Sequence, residues 1–68
     1  MINGIDRNRI TFEPFEVMGY DAEFDTWGVY GIEIYIDGKY AGKIGWVKIE
    51  EVESMSDEEI EELINNVV

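Results

Sequence analysis

Apolar and polar residues alternate along the first third of the chain. Between Arg9 and Val17, Ile10 and Phe12 fall on one side, and the pattern shifts phase after Pro14 so that Phe15 continues it. This period of two is typical of a β-strand. Because proline cannot donate to a sheet ladder, the sequence predicts a first strand on or near a sheet edge, with a bulge or kink at Pro14.

A second and a third strand follow, after an acidic segment. Met18 to Gly28 is rich in acids and bounded by glycines, which predicts a connecting loop. Val29 to Ile36 and Tyr40 to Ile49 are rich in β-branched and aromatic residues, and Asp37-Gly38-Lys39 separates them. Asp-Gly between two such runs is a strong hairpin signal, so the chain is expected to pair these runs as antiparallel strands.

The side chains of these two runs favour one register. Pairing Ile32 with Ile44 and Glu33 with Lys43 keeps apolar residues on one face, whereas a slip by one residue mixes apolar and charged groups on both faces. The favoured register also places Ile36 opposite Tyr40. It therefore requires a three-residue or bulged turn.

The C-terminal segment carries helix signals at both its start and its interior. Ser56 and Glu59 have the spacing of a capping box, and Met55 can pack on Ile60 as a hydrophobic staple. We predict an amphipathic helix over about 57 to 66. Its apolar stripe, spaced i, i+3, i+4 and i+7, is Ile60, Leu63, Ile64 and Val67.

Together these elements predict one α+β domain over residues 1–68. The fold class is a small three-stranded antiparallel sheet, in the order β-β-β-α, with the C-terminal helix packed on one face. A chain of 68 residues builds only a thin core. It contains no cysteine and no histidine, which excludes disulfides and the usual zinc sites, and we expect no cofactor.

Net charge narrows the classes of partner. Sixteen acids against five basic residues give a formal charge of -11. Such a charge repels nucleic acid and anionic membranes and attracts basic surfaces, so we expect no direct nucleic-acid or membrane binding and a basic or nucleic-acid-binding protein as partner. Without a spanning stretch or a basic-then-apolar N-terminal pattern, the expected location is the cytoplasm, as a soluble protein.

The residue types also argue against catalysis. No histidine is present to act as a base for a nucleophile. Ser54 and Ser56 lie at a helix start, where they are expected to cap. Paired carboxylates would need a desolvating pocket that three strands and one helix hardly enclose. We therefore predict a protein that is not an enzyme.

Asp21, Glu23 and Asp25 alternate as the first three ligands of an EF-hand calcium loop do. The resemblance ends there, because Thr26 stands where that loop needs glycine and Ile32 where it needs a bidentate glutamate. Solvated acids are the favoured interpretation of this segment, and no metal site is predicted.

Acidic residues collect in two blocks without lysine or arginine, from Glu13 to Asp25 and from Glu50 to Glu62, on either side of a lysine-bearing third strand. Rows of carboxylates resemble a polyanion to a basic groove. The hypothesis is an inhibitor of the phage or plasmid type that imitates nucleic-acid charge and blocks a nucleic-acid-binding protein or nuclease. The candidate partner-binding residues are Glu50, Glu51, Glu53, Asp57, Glu58, Glu61, Glu62, Asp21, Glu23 and Asp25.

The sheet face turned away from the helix supplies the alternative hypothesis. Strand alternation places Val29, Tyr35, Val47 and Ile49 on that face, which is too apolar for open water. The loop of residues 18 to 28, a second copy of the chain or a partner could cover it. The alternative function is a small assembly or accessory subunit that dimerises or docks through its sheet face or edge.

Overall fold

A computed structural model describes residues 1–67 of the chain. The elements are a 3-10 turn at Arg7–Arg9, strands β1 (Ile10–Asp21), β2 (Thr26–Ile36) and β3 (Lys39–Gly45), and helices α1 (Ile49–Glu53) and α2 (Asp57–Asn65). The strands form an antiparallel sheet in the order β1-β2-β3. The predicted α+β class and three-stranded sheet are confirmed, and a short second helix is added.

Strand β1 is an edge strand, as predicted, but it is longer than expected. Its pairing with β2 runs unbroken through Pro14, which lies opposite Ile32, and the irregularity falls between Val17 and Tyr20 instead. The predicted kink at Pro14 is therefore wrong, because an edge position leaves the missing N–H on the unpaired side. Regular alternation then places Phe15 on the face opposite to Phe12.

The predicted loop over residues 18 to 28 is mostly strand. β1 continues to Asp21 and β2 begins at Thr26, so only residues 22–25 form the turn. We call the distal end of this long hairpin, residues 20–27, the hairpin tip. Its turn is held by the carboxylate of Asp21, whose Oδ1 accepts hydrogen bonds from the backbone N–H groups of Glu23 and Phe24.

The β2–β3 hairpin has the predicted register in its interior, with Ile32 opposite Ile44. The turn is a tight two-residue connection, and Asp37 and Gly38 both have positive φ, 53° and 80°, which is the requirement of a type I′ turn. Tyr35, not Ile36, lies opposite Tyr40. A bulge at Ala41 then restores the register that keeps apolar residues together, so the irregularity lies within the strand and not in the turn.

Both helices pack on one face of the sheet. Val52 of α1 and Ile60 and Ile64 of α2 share a buried cluster with Ile32 and Ile34 of β2. The capping box of α2 is present: the Ser56 hydroxyl accepts from the Glu59 backbone N–H, and the Glu59 carboxylate accepts from the Ser56 backbone N–H. The prediction of helix α2 is confirmed. No helix among residues 1–67 is long and apolar enough to cross a bilayer.

Candidate protein-interaction surfaces

The acids of the hairpin tip form ion pairs and hydrogen bonds within the fold. Lys43 of β3 reaches across, and its Nζ lies 3.0 Å from Glu23 Oε2 and 3.8 Å from Asp21 Oδ2. The side chains of Lys43 and Asp21 are 19% and 12% exposed. The hydrogen bond that the Lys43 ammonium donates to the Glu23 carboxylate raises the pKa of Lys43, since it favours the charged ammonium. Two of the predicted partner-binding carboxylates thus share one ammonium within the fold.

Aromatic rings complete this cluster at the hairpin tip. The rings of Phe15 and Phe24 stack with centroids 6.3 Å apart, and the Lys43 ammonium lies 5.1 Å and 5.5 Å from those centroids. The third predicted acid of this region, Asp25, accepts a hydrogen bond from the hydroxyl of Tyr20, which raises the pKa of that phenol. The tip acids therefore have partners within the fold, while Glu23 and Asp25 remain exposed.

One acid of the helices is also paired. Asp57, the first residue of α2, accepts a hydrogen bond from Arg7 at 2.8 Å and lies 3.4 Å from the Met1 ammonium. The bond from Arg7 is the main cause of the lowered pKa of Asp57. This pairing joins the start of the chain to the N-terminus of α2, where the helix dipole also favours a carboxylate.

The remaining helical acids, apart from Glu59 whose carboxylate caps α2, form what we call the acidic helical surface. The inward side of both helices is apolar, with Val52, Ile60 and Ile64 buried, so the carboxylates project outward or along the flanks. Within residues 1–67, ion pairs engage none of them. The members of this surface are Glu50, Glu51, Glu53, Glu58, Glu61 and Glu62.

The predicted docking face does not exist as one exposed surface. Val29 is only 3% exposed, and Phe24 folds over the same area, with ring atoms 3.1 Å and 3.3 Å from where a Cβ on Gly45 would lie. The chain leaves the sheet after Gly45, and Ile49 begins α1. Val47 and Ile49 therefore pack against the buried core cluster instead. Of the four residues, only Val29 and Tyr35 lie on the predicted face, and Val29 is buried and Tyr35 half-buried. We correct that prediction accordingly.

A pair of exposed aromatic residues was not among the predicted site residues. Tyr30 and Trp46 are 38% and 54% exposed. Two open clefts beside them share Glu16 and Tyr30 as lining residues. No sequence signal indicated this exposure, because Trp46 falls within the run predicted as the third strand, which ends at Gly45 in the structure.

Among residues 1–67, no group of three or more carboxylates converges as a ligand set. At the hairpin tip, Asp21 and Glu23 instead surround an ammonium. Comparison with protein-family models, with characterised proteins and with solved structures finds no match to this chain.

Proposed function

We propose that this chain is a non-catalytic binding module whose acidic helical surface occupies the basic groove of a nucleic-acid-binding protein or nuclease and blocks it. The observation that supports the proposal is that the six carboxylates of this surface form no ion pair in the described part of the chain; between residues 50 and 62, only Asp57 is ion-paired and Glu59 caps α2. A cytoplasmic inhibitor of the phage or plasmid type would act in this way.

The spacing of these acids suits a groove that binds phosphates. Glu58 and Glu62 lie four residues apart on α2 and so rise about 6 Å along its axis. A protein that neutralises phosphates gains affinity by releasing counterions, and its affinity falls steeply with salt. A carboxylate row that substitutes for phosphates should show the same dependence on salt, because it meets the same lysines and arginines.

The contrast with the hairpin tip supports the helices as the binding element. Lys43 already satisfies Asp21 and Glu23, so a basic partner would have to displace it to bind there. The acidic helical surface has no such internal competitor among residues 1–67. An exposed ion pair adds only about 0.2–1 kcal/mol on average, so useful affinity requires several pairs acting together.

A displacement experiment tests this proposal. Nucleic-acid-binding proteins from cells of the source organism are retained on immobilised double-stranded DNA, and the purified chain is added in excess at low and at high salt. We expect release of one or a few proteins at low salt only, and loss of release with Glu58→Lys combined with Glu62→Lys.

A charge-matched control separates position from net charge. Glu13→Lys changes the net charge by the same amount as Glu62→Lys, but Glu13 lies on the other sheet face, opposite Glu33. Glu62→Lys should weaken release and Glu13→Lys should not. Equal effects of the two variants, or no protein released by the unmodified chain, would reject the proposal.

The alternative, an accessory subunit that docks through its sheet, has one favourable observation: β1 offers an unpaired edge of 12 residues. The same strand carries Pro14 with Glu13 before it and Glu16 two residues after it, and proline and charge both discourage strand addition. Sedimentation distinguishes the two functions, since docking through the edge predicts a dimer or complex that persists at high salt.

A further inference from the structure

Tyr30 and Trp46 form an aromatic corner on the sheet face that carries the helices. Their ring centroids are 5.3 Å apart and the ring planes are perpendicular. The backbone N–H of Trp46 donates to the Tyr30 carbonyl at 2.6 Å, which fixes the two residues side by side. Trp46 has a φ of 66°, a left-handed conformation that bulky residues rarely adopt. The fold therefore holds an indole against a phenol in partial contact with solvent.

Carboxylates border this corner. Glu16 is the cross-strand partner of Tyr30, and cross-strand partners have Cβ atoms about 4.5–5.5 Å apart. One cleft of about 240 Å³ is lined by Glu16, Tyr30, Trp46 and Met18 among others. The neighbouring larger cleft, which shares Glu16 and Tyr30, adds Glu50 and one cation, Lys48. The two clefts together thus combine aromatic faces with a net negative charge.

The hairpin tip shows what such a set of groups binds in this protein. There, two aromatic rings and two carboxylates surround the ammonium of Lys43. At the aromatic corner the rings and carboxylates recur, but in the described part of the chain no lysine or arginine lies over Tyr30 or Trp46. A cation from another molecule would complete the second set.

We propose that Tyr30, Trp46 and Glu16 bind the side chain of an arginine or lysine presented by a partner protein. Aromatic faces attract cations through the ring quadrupole, tryptophan most strongly, and a neighbouring carboxylate adds charge attraction. A net charge of -11 already favours a basic partner. This site uses none of the residues of the acidic helical surface except Glu50 at its border, so it goes beyond the proposed function and does not depend on it.

The two tryptophans make the site directly observable by NMR. N-acetyl-arginine amide is titrated into the ¹⁵N-labelled chain, and its neutral isostere, N-acetyl-citrulline amide, is titrated in parallel. We expect the Trp46 indole N–H signal to shift and saturate with the arginine compound only. The Trp27 indole, which pairs with Tyr20 at the hairpin tip, serves as an internal control and should not shift.

Variants then test the individual groups. Trp46→Leu, Tyr30→Leu and Glu16→Gln should each weaken arginine binding about tenfold, followed on the remaining backbone signals of the site. Trp27→Leu, at a more exposed tryptophan outside the site, should leave binding unchanged. Glu16→Gln alters no ring and retains the side-chain shape. It therefore still tests the site if an aromatic substitution disturbs folding.

The inference is overturned if both indole signals shift alike, if citrulline acts as arginine does, or if Glu16→Gln binds like the unmodified chain. Its failure is distinguishable from that of the proposed function. Glu58→Lys with Glu62→Lys should abolish displacement from DNA but retain the response of Trp46 to arginine.

Discussion

The hairpin tip and the acidic helical surface are both rich in carboxylates, yet the fold treats them differently. At the tip, Lys43 from the third strand pairs with Asp21 and Glu23 and lies over two phenylalanine rings. On the helices, only Asp57 among the predicted partner-binding acids has an ion-pair partner within residues 1–67. A block of acids in a sequence is therefore not yet an acidic surface, because strand pairing can bring a cation to it from 20 positions away.

The largest expected loss of stability comes from forcing β3, the strand that carries Lys43, away from β2. Gly31 of β2 faces Gly45 of β3, and a Cβ at Gly31 would overlap the carbonyl oxygen of Ile44 and lie 2.9 Å from the Gly45 Cα. Gly31→Ala should destabilise the fold by at least the upper end of the about 1–3 kcal/mol typical of overpacking. Thermal unfolding followed by circular dichroism measures it. A melting temperature equal to that of the unmodified chain would contradict the close approach of the two strands.

The next largest loss of stability is expected when the Lys43 cation is removed and the strand is left in place. Lys43→Met preserves most of the aliphatic packing but leaves Asp21 and Glu23 facing each other without an ammonium. We expect a lower melting temperature and faster amide exchange at residues 22–25, because the turn depends on Asp21. Lys39→Met is the matched control, since Lys39 is exposed on the same strand and forms no ion pair within residues 1–67. If both variants melt alike, the tip cluster contributes nothing.

Acid titration tests the one paired acid of the helices. The pKa of Asp57 is lowered by its hydrogen bond from Arg7, so the ionised form favours the folded state. A lowered folded pKa gives stability that is present above the unfolded value, 3.8, and lost as pH falls through the folded value. Asp57→Asn should therefore lose less stability than the unmodified chain between neutral pH and pH about 2. Identical slopes of melting temperature against pH would argue against the ion pair.

The smallest effect concerns repulsion within the acidic helical surface. Glu58 and Glu62 lie at i, i+4 on α2, where like charges cost about 0.2–0.5 kcal/mol. Glu62→Gln should raise the free energy of unfolding by about that amount at low salt, and the gain should vanish at high salt. Urea denaturation at the two salt concentrations measures the difference. A loss of stability would indicate that Glu62 has a partner in solution.

The parts of the fold that local sequence specifies could be predicted. The capping box at Ser56 needs only residues three apart, and it located the start of α2 correctly. The Asp-Gly pair located the second hairpin, and apolar pairing of Ile32 with Ile44 gave its interior register. In each case the deciding interaction lies within a few residues or depends on one simple alternation of faces.

Features set by distant contacts were missed. Residues 47 to 49 continue an alternating pattern and were predicted as strand, although Ile49 begins α1; short apolar runs do not distinguish the two structures. The acidic segment after Met18 resembles a loop by composition and becomes strand because β2 pairs with it. The location of Lys43 beside Asp21 and Glu23 follows from that pairing, and so could not be inferred from the local sequence.

The shielding of Lys43 has a practical consequence for covalent labelling. Its amine is held by carboxylates and rings, whereas Lys39 and Lys48 are exposed. An acylating reagent should modify the two exposed lysines quickly and reach the third only when the turn between the first two strands opens. The rate of that slow acylation, resolved by mass spectrometry, would give the opening frequency of the turn in an unlabelled, wild-type molecule.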